Sequence, residues 1–111
     1  MIETLIAHRG ASGYAPENTI SAFDKALSLG CLMVEFDVML SQDGEPFVFH
    51  DDKLKRTTNG RGDIGKVSAD YLRTLDAGKW FHRSFKGERI PHLKDVLKWL
   101  SLTNMKANIE I

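Results

Sequence analysis

The chain has 111 residues, 42% of them hydrophobic and 27% charged, which fits one soluble domain. Fifteen Lys and Arg balance fifteen Asp and Glu, so the basic excess of a nucleic-acid binder is absent. No apolar run approaches the roughly 20 residues of a bilayer span, so no stable membrane insertion is expected.

Met1-Ile2-Glu3-Thr4 passes into strand-like sequence without the basic-then-apolar pattern of a secretory leader. Residues 4–8 read as a first strand, and Arg9 to Pro16 as a loop with two glycines. Pro16-Glu17-Asn18-Thr19 opens a helix in which Ile20, Phe23, Ala26 and Leu27 recur at helical spacing, and Gly30 ends it. Glu17 and Asn18 read as residues that cap or anchor that loop. Cys31, the single cysteine, cannot form an internal disulfide and reads as a buried structural thiol. A reducing, cytoplasmic location is the expectation from the lone cysteine and the N-terminal pattern.

Residues 31–40 form a second strand, Asp43-Gly44 marks a turn, and Pro46 to His50 form a third strand. So short a link usually makes a hairpin. Placing Asp37 and His50 both at strand carboxyl ends favours residues 38–45 looping back instead, and that is the expectation here. Residues 53–90 mix glycines, aromatics and basic residues without a clear period, and read as a small insertion folded over the strand ends. Ser68 caps a short helix over 69–75, while His82 and His92 read as surface or loop residues. Pro91 introduces a helix with Leu93, Val96, Leu97 and Leu100 on its apolar face, and residues 107–111 form a last strand.

Each strand delivers a chemically active residue at its carboxyl end: His8, then Glu35 with Asp37, then His50, then Glu110. That is the layout of an α/β barrel of the TIM (β/α)8 type. A closed barrel takes at least ~200 residues. About four strands are present here, so the chain reads as the N-terminal half of one barrel domain, incomplete by itself, with an insertion after the third strand. Self-association of the half barrel is a second reading.

Glu35 and Asp37 alternate with Val34, Phe36 and Val38, so the two acids share one strand face. Two carboxylates in one small space raise one pKa unless a counter-charge intervenes. A divalent cation, Mg²⁺ or Ca²⁺, removes the conflict with hard oxygen ligands, and Glu110 would be the third. His8 and His50 suit a general acid and base, because imidazole titrates near pH ~6.5. Arg9 offers a planar fork for a phosphate oxygen; an ordinary salt bridge to Glu17 or Glu35 is the simpler alternative. Trp80, Phe81 and Phe85 either wall a substrate pocket or pack the insertion onto the barrel mouth.

Along nearly its whole length the sequence resembles the glycerophosphodiester phosphodiesterase family. The resemblance rests on His8-Arg9-Gly10, Pro16-Glu17-Asn18-Thr19 with Ala22-Phe23, Glu35-Phe36-Asp37-Val38, and Asp43-Gly44. It continues through His50-Asp51, Arg56-Thr57-Thr58-Asn59-Gly60 with Gly62, Ile90-Pro91 with Leu93, and Asn108-Ile109-Glu110-Ile111. It implies a TIM-barrel phosphodiesterase in which Glu35, Asp37 and Glu110 hold the metal, His8 and His50 form the acid/base pair, and Arg9 binds phosphate. The implied substrate is a small glycerophosphodiester, cleaved to glycerol 3-phosphate and an alcohol. The family pattern continues with a lysine two positions beyond Glu110, the residue that would follow Ile111. Competing readings are a lysophospholipase D acting on lipid headgroups, which the polar 53–90 segment disfavours, and a truncated, non-catalytic phosphate- or metal-binding module.

Overall fold

The computed structural model describes residues 6–111; of the expected first strand, Thr4 and Leu5 lie outside the described residues. Strand β1 (Ile6–His8) leads through a loop to helix α1 (Ile20–Ser28), which returns to β2 (Met33–Leu40). Thr19 begins the helix by accepting the backbone N–H of Ala22 on its Oγ1 at 3.2 Å, and Gly30 turns the chain out at φ +83°. Strand β3 (Pro46–Val48), a short helix α2 (Ala69–Arg73), helix α3 (Leu93–Thr103) and β4 (Lys106–Glu110) complete the order. As the sequence predicts, Ser68 caps α2, accepting Tyr71 N–H.

Strands β1, β2 and β4 are parallel, with β2 in the middle. The described residues thus contribute three barrel strands rather than four. The fourth, β3, is antiparallel to β2, pairing Val38 with Val48 and Leu40 with Pro46. The expectation that residues 38–45 loop back without a hairpin is therefore corrected. Asp43-Gly44 forms a tight connection in which Ser41 N–H donates to Glu45 O and Gly44 sits at φ +81°. The conflict it was meant to avoid disappears because β2 is long. Its first five residues pair in the barrel, and its last three run past the rim and pair with the returning arm. Phe49 N–H donates to Asp37 O at 3.0 Å, so the hairpin brings the chain back to the level of Asp37 one residue before His50.

Two cores follow from strand alternation. Ala7, Val34, Phe36, Val38 and Val48 point to the helix side and pack on Phe23, Ala26, Val96 and Trp99. Phe23, Val34, Phe36 and Val96 are fully buried, each contributing about 1.5–3 kcal/mol over an exposed side chain. The Phe23 ring lies 5.7 Å from both Phe36 and Trp99, and Trp99 Nε1–H donates to Asp24 Oδ1 at 2.7 Å, tying α3 to α1. On α3 the expected face is rotated: Trp99 is buried, while Leu97 is exposed. Leu27 of α1 is likewise exposed. Cys31 is half-buried against this first core.

The second core lies under the 53–90 segment and joins Leu54, Ile64, Leu72, Leu75 and Ile90 to Phe47 and Phe49 of the hairpin arm. Val48 faces the barrel helices while its neighbours Phe47 and Phe49 face the insertion, as the two-residue period of a strand requires. His92 is not a surface residue. It is the N-cap of α3, accepting Lys94 N–H on Nδ1, with its side chain 13% exposed against the Phe47 ring and Nε2 3.0 Å from Glu45. His82 similarly opens a single 3-10 turn at Arg83–Phe85. No helix among the described residues is long and apolar enough to cross a membrane.

Candidate active site

Strand register alone assembles the acids. His8 of β1 pairs with Glu35 of β2, and Asp37 of β2 pairs with Glu110 of β4. Paired residues on adjacent strands project side by side at the ~4.8 Å strand spacing. One carboxylate oxygen from each of Glu35, Asp37 and Glu110 lies within 4.8 Å of the others. Glu35 is buried, Asp37 half-buried and Glu110 exposed. Burial pushes the Glu35 carboxyl above its ordinary value, reinforced by a hydrogen bond with Glu110 and the negative charge of Asp37. Arg9 N–H, donating to Glu35 Oε1 at 3.2 Å, and His8 pull the other way. The donor set is three hard carboxylate oxygens, a set that fits a divalent cation.

The loop after β1 presents the basic groups. Arg9 and Gly10 both have positive φ, +55° and +77°, so the chain reverses within two residues. A non-glycine residue in this region carries strain, a feature concentrated at functional sites. Gly10 is required twice over, because a Cβ there would lie 2.7 Å from Ala22 Cβ. His8 is solvent-exposed, with Nε2 3.6 Å from Glu35 Oε1. The Arg9 guanidinium lies against Glu17 (3.2 Å) and Asp37 (3.7 Å), so the salt-bridge alternative for Arg9 holds with Glu17. His50, just beyond β3, has Nδ1 2.7 Å from Asp51 Oδ1.

Sequence reasoning gave Asp51 and Arg56 no role here and Asn18 only a capping or anchoring one; the anchoring is present, with Asn18 N–H donating to Arg9 O at 2.9 Å. Asn18 does not cap α1; it is buried at φ +56°, and its Nδ2 donates to Asp37 Oδ2 at 3.2 Å. Asn18 Oδ1 and Arg9 Nε are buried without a hydrogen-bond partner among the described residues, and both groups border Asp37. Unpartnered buried polar atoms are rare in folded proteins, and both of these lie beside the acid cluster. Asp51 holds His50 and is itself held by Arg56, whose guanidinium lowers the Asp51 carboxyl to about 2. The adjacency of Asp51 to His50 was one signal, and both Asp51 and Arg56 stand in stretches that carry the family resemblance; that Arg56 reaches Asp51 is seen only once the loop is folded. Trp80 and Phe85 each meet the Phe81 ring edge-on within the insertion. Trp80 also lines a cavity of about 450 Å³ with Thr58, Asn59, Asp76, Lys79 and Lys86.

Three parallel strands backed by two helices, with acids and histidines at the carboxyl rim, define the opening part of a TIM-type barrel. A sequence model of the glycerophosphoryl diester phosphodiesterase family matches residues 8–111, and the chain belongs to that family. It is 45% identical over 107 residues to a glycerophosphodiester phosphodiesterase of Caldanaerobacter subterraneus subsp. tengcongensis, covering 96% of this chain and 44% of that one. The structure matches an Oleispira antarctica phosphodiesterase, solved in complex with the product sn-glycerol-3-phosphate, at TM-score 0.91. Identity is 47%, over 94% of this chain and 42% of that one. It matches a glycerophosphodiester phosphodiesterase from Agrobacterium tumefaciens str. C58 at the same TM-score, with 44% identity over 94% of this chain and 45% of that one. The chain thus spans less than half the length of these relatives.

Proposed function

We propose that this chain supplies the metal-holding and acid–base portion of a glycerophosphodiester phosphodiesterase, releasing glycerol 3-phosphate and an alcohol. The convergence of three carboxylates from two parallel strands beside His8 carries the reading. Glu35, Asp37 and Glu110 would hold the cation, which when bound supplies positive charge against the phosphate oxygens. Arg9 adds N–H donors for those oxygens and shares the neutralising of charge that grows at phosphorus.

His8 and His50 divide the proton transfers. One imidazole takes the proton of the attacking O–H as the new P–O bond forms. The other gives a proton to the departing alcohol oxygen as its P–O bond breaks. His50 has the better-supported ring, because an ionised carboxylate only accepts and Asp51 therefore fixes the Nδ1–H tautomer. Its Nε2 is left as the atom that exchanges a proton.

The test is hydrolysis of glycerophosphocholine by the complete polypeptide that carries these residues, with EDTA and then with Mg²⁺ or Ca²⁺ restored. Activity lost to EDTA and regained with the ion is expected, together with loss of turnover in His8→Ala and His50→Ala at unchanged circular dichroism. Near-normal rates in either variant would remove the acid/base assignment.

A further inference from the structure

Arg56 lies in the 53–90 segment, six residues after His50, and its guanidinium is divided between two carboxylates. Nε and Nη2 donate to Asp51 at 2.8 and 3.0 Å, while Nη1 and Nη2 donate to Glu17 at 3.0 and 2.9 Å. Beyond these two acids stand the two groups of interest. Asp51 Oδ1 is 2.7 Å from His50 Nδ1, and Glu17 Oε2 accepts from Arg9 Nη1 at 3.2 Å.

A single exposed ion pair contributes under about 1 kcal/mol and orders little. Two forks sharing one planar guanidinium are different, since a rigid donor plane fixes both carboxylates relative to each other. Glu17 is 11% exposed, so its end of the network is largely shielded from water. A second tie comes from the same segment: Glu88 accepts Ser21 N–H at 3.1 Å and Ser21 Oγ–H at 2.6 Å, at the start of α1.

We infer that Arg56 is a positioning residue. Through Asp51 it orients the His50 ring, and through Glu17 it orients the Arg9 guanidinium, so the insertion sets the geometry of the acid–base and phosphate groups together. This rests on the function proposed above. It makes the 53–90 segment part of the site's framework, independent of any contact it makes with substrate.

The experiment compares Arg56→Met, Arg56→Lys and Glu88→Gln in the complete polypeptide, with glycerophosphocholine as substrate and Mg²⁺ or Ca²⁺ added. Imidazole ¹⁵N spectra report the His50 tautomer separately. Arg56→Met is expected to lower kcat about 10- to 100-fold, by analogy with the loss of a group that orients a metal ligand. KM should rise with it by no more than about tenfold, since Arg9 loses its support through Glu17, and the His50 spectrum should change from one tautomer to a mixture. Arg56→Lys, which keeps charge but cannot make both forks, should fall between, and Glu88→Gln should stay near the parent.

Turnover within about twofold of the parent in Arg56→Met overturns the inference. So does a loss seen only in KM with the tautomer unchanged, which would make Arg56 a phosphate ligand instead. If Arg56→Met fails to fold, Arg56→Lys decides by the same two readouts. Failure of the parent itself to hydrolyse the diester would refute the proposed function, and the tautomer spectra would still decide the positioning claim.

Discussion

Replacing Glu35 by Gln should shift stability in opposite directions according to whether a divalent cation is present. Glu35, Asp37 and Glu110 bring oxygens within 4.8 Å of one another. At up to that separation each pair, when both members are ionised, repels by at least about 1 kcal/mol in a water-like medium and about 3 kcal/mol at the effective dielectric of a protein surface. Glu35 is buried whereas Glu110 is exposed, so the lower end applies to the pair they make. Gln keeps an acceptor oxygen for Arg9 N–H, now 3.2 Å away, but gives up the attraction to His8. Relief of the Glu35–Glu110 and Glu35–Asp37 repulsions, about 1 kcal/mol each, less the lost attraction to His8, leaves a net expectation without cation of a gain of about 1 kcal/mol. With cation at a hundred times its Kd, the parent gains about 2.7 kcal/mol. Loss of one anionic ligand weakens affinity by about 100-fold or more, leaving the variant a gain of about 0.4 kcal/mol. The variant should therefore melt above the parent in EDTA and below it in saturating Mg²⁺ or Ca²⁺, as read by scanning calorimetry at neutral pH. Curves that shift together in both conditions would show that the three acids form a structural cluster without a cation.

Two further outcomes follow from the loop and the network beside it. Gly10→Ala places a methyl 2.7 Å from Ala22 Cβ at φ +77°. The left-handed conformation and the overlap together should cost about 2–5 kcal/mol in denaturant unfolding, and a loss under about 0.5 kcal/mol would contradict that packing. Asp51, held by Arg56 at about 2 against an ordinary value of 3.8, stabilises the fold while ionised. Because its folded value is depressed, that stabilisation is complete above the ordinary value and is lost as pH falls from about 4 to 2. The gap corresponds to about 2 kcal/mol before solvent screening, which reduces it because Arg56 is 46% exposed. Asp51→Asn should flatten the acid limb of the stability curve between those limits, and an unchanged limb would refute the assignment.

What the sequence disclosed and what it hid divide along one physical line. Period-two alternation in Met33–Leu40 put Glu35 and Asp37 on one face and Val34, Phe36 and Val38 on the other, and the core contains those three hydrophobic residues. That inference needed only local geometry, as did the caps at Ser68 and the turn at Asp43-Gly44. The hairpin was hidden because a strand's length relative to the barrel rim is a tertiary quantity. Met33 to Asp37 and Val38 to Leu40 look like one strand, yet the first part pairs with β4 and the second with β3. Arg56 was hidden for the same reason: its partners lie five and 39 positions away, and no period joins them.

The two cases share one cause. The three residues by which β2 overshoots the barrel give the hairpin arm its partner. The arm then buries Phe47 and Phe49 in the insertion's core while returning His50 to the level of Asp37. The insertion and the histidine are thus fixed by one strand extension, and a loop of that core carries Arg56 back to Asp51. A fold that needed only to bring His50 to the rim could end β2 at Asp37 and use a plain loop. The overshoot instead supplies a second hydrophobic core, and with it a rigid support from which one guanidinium reaches both sides of the site.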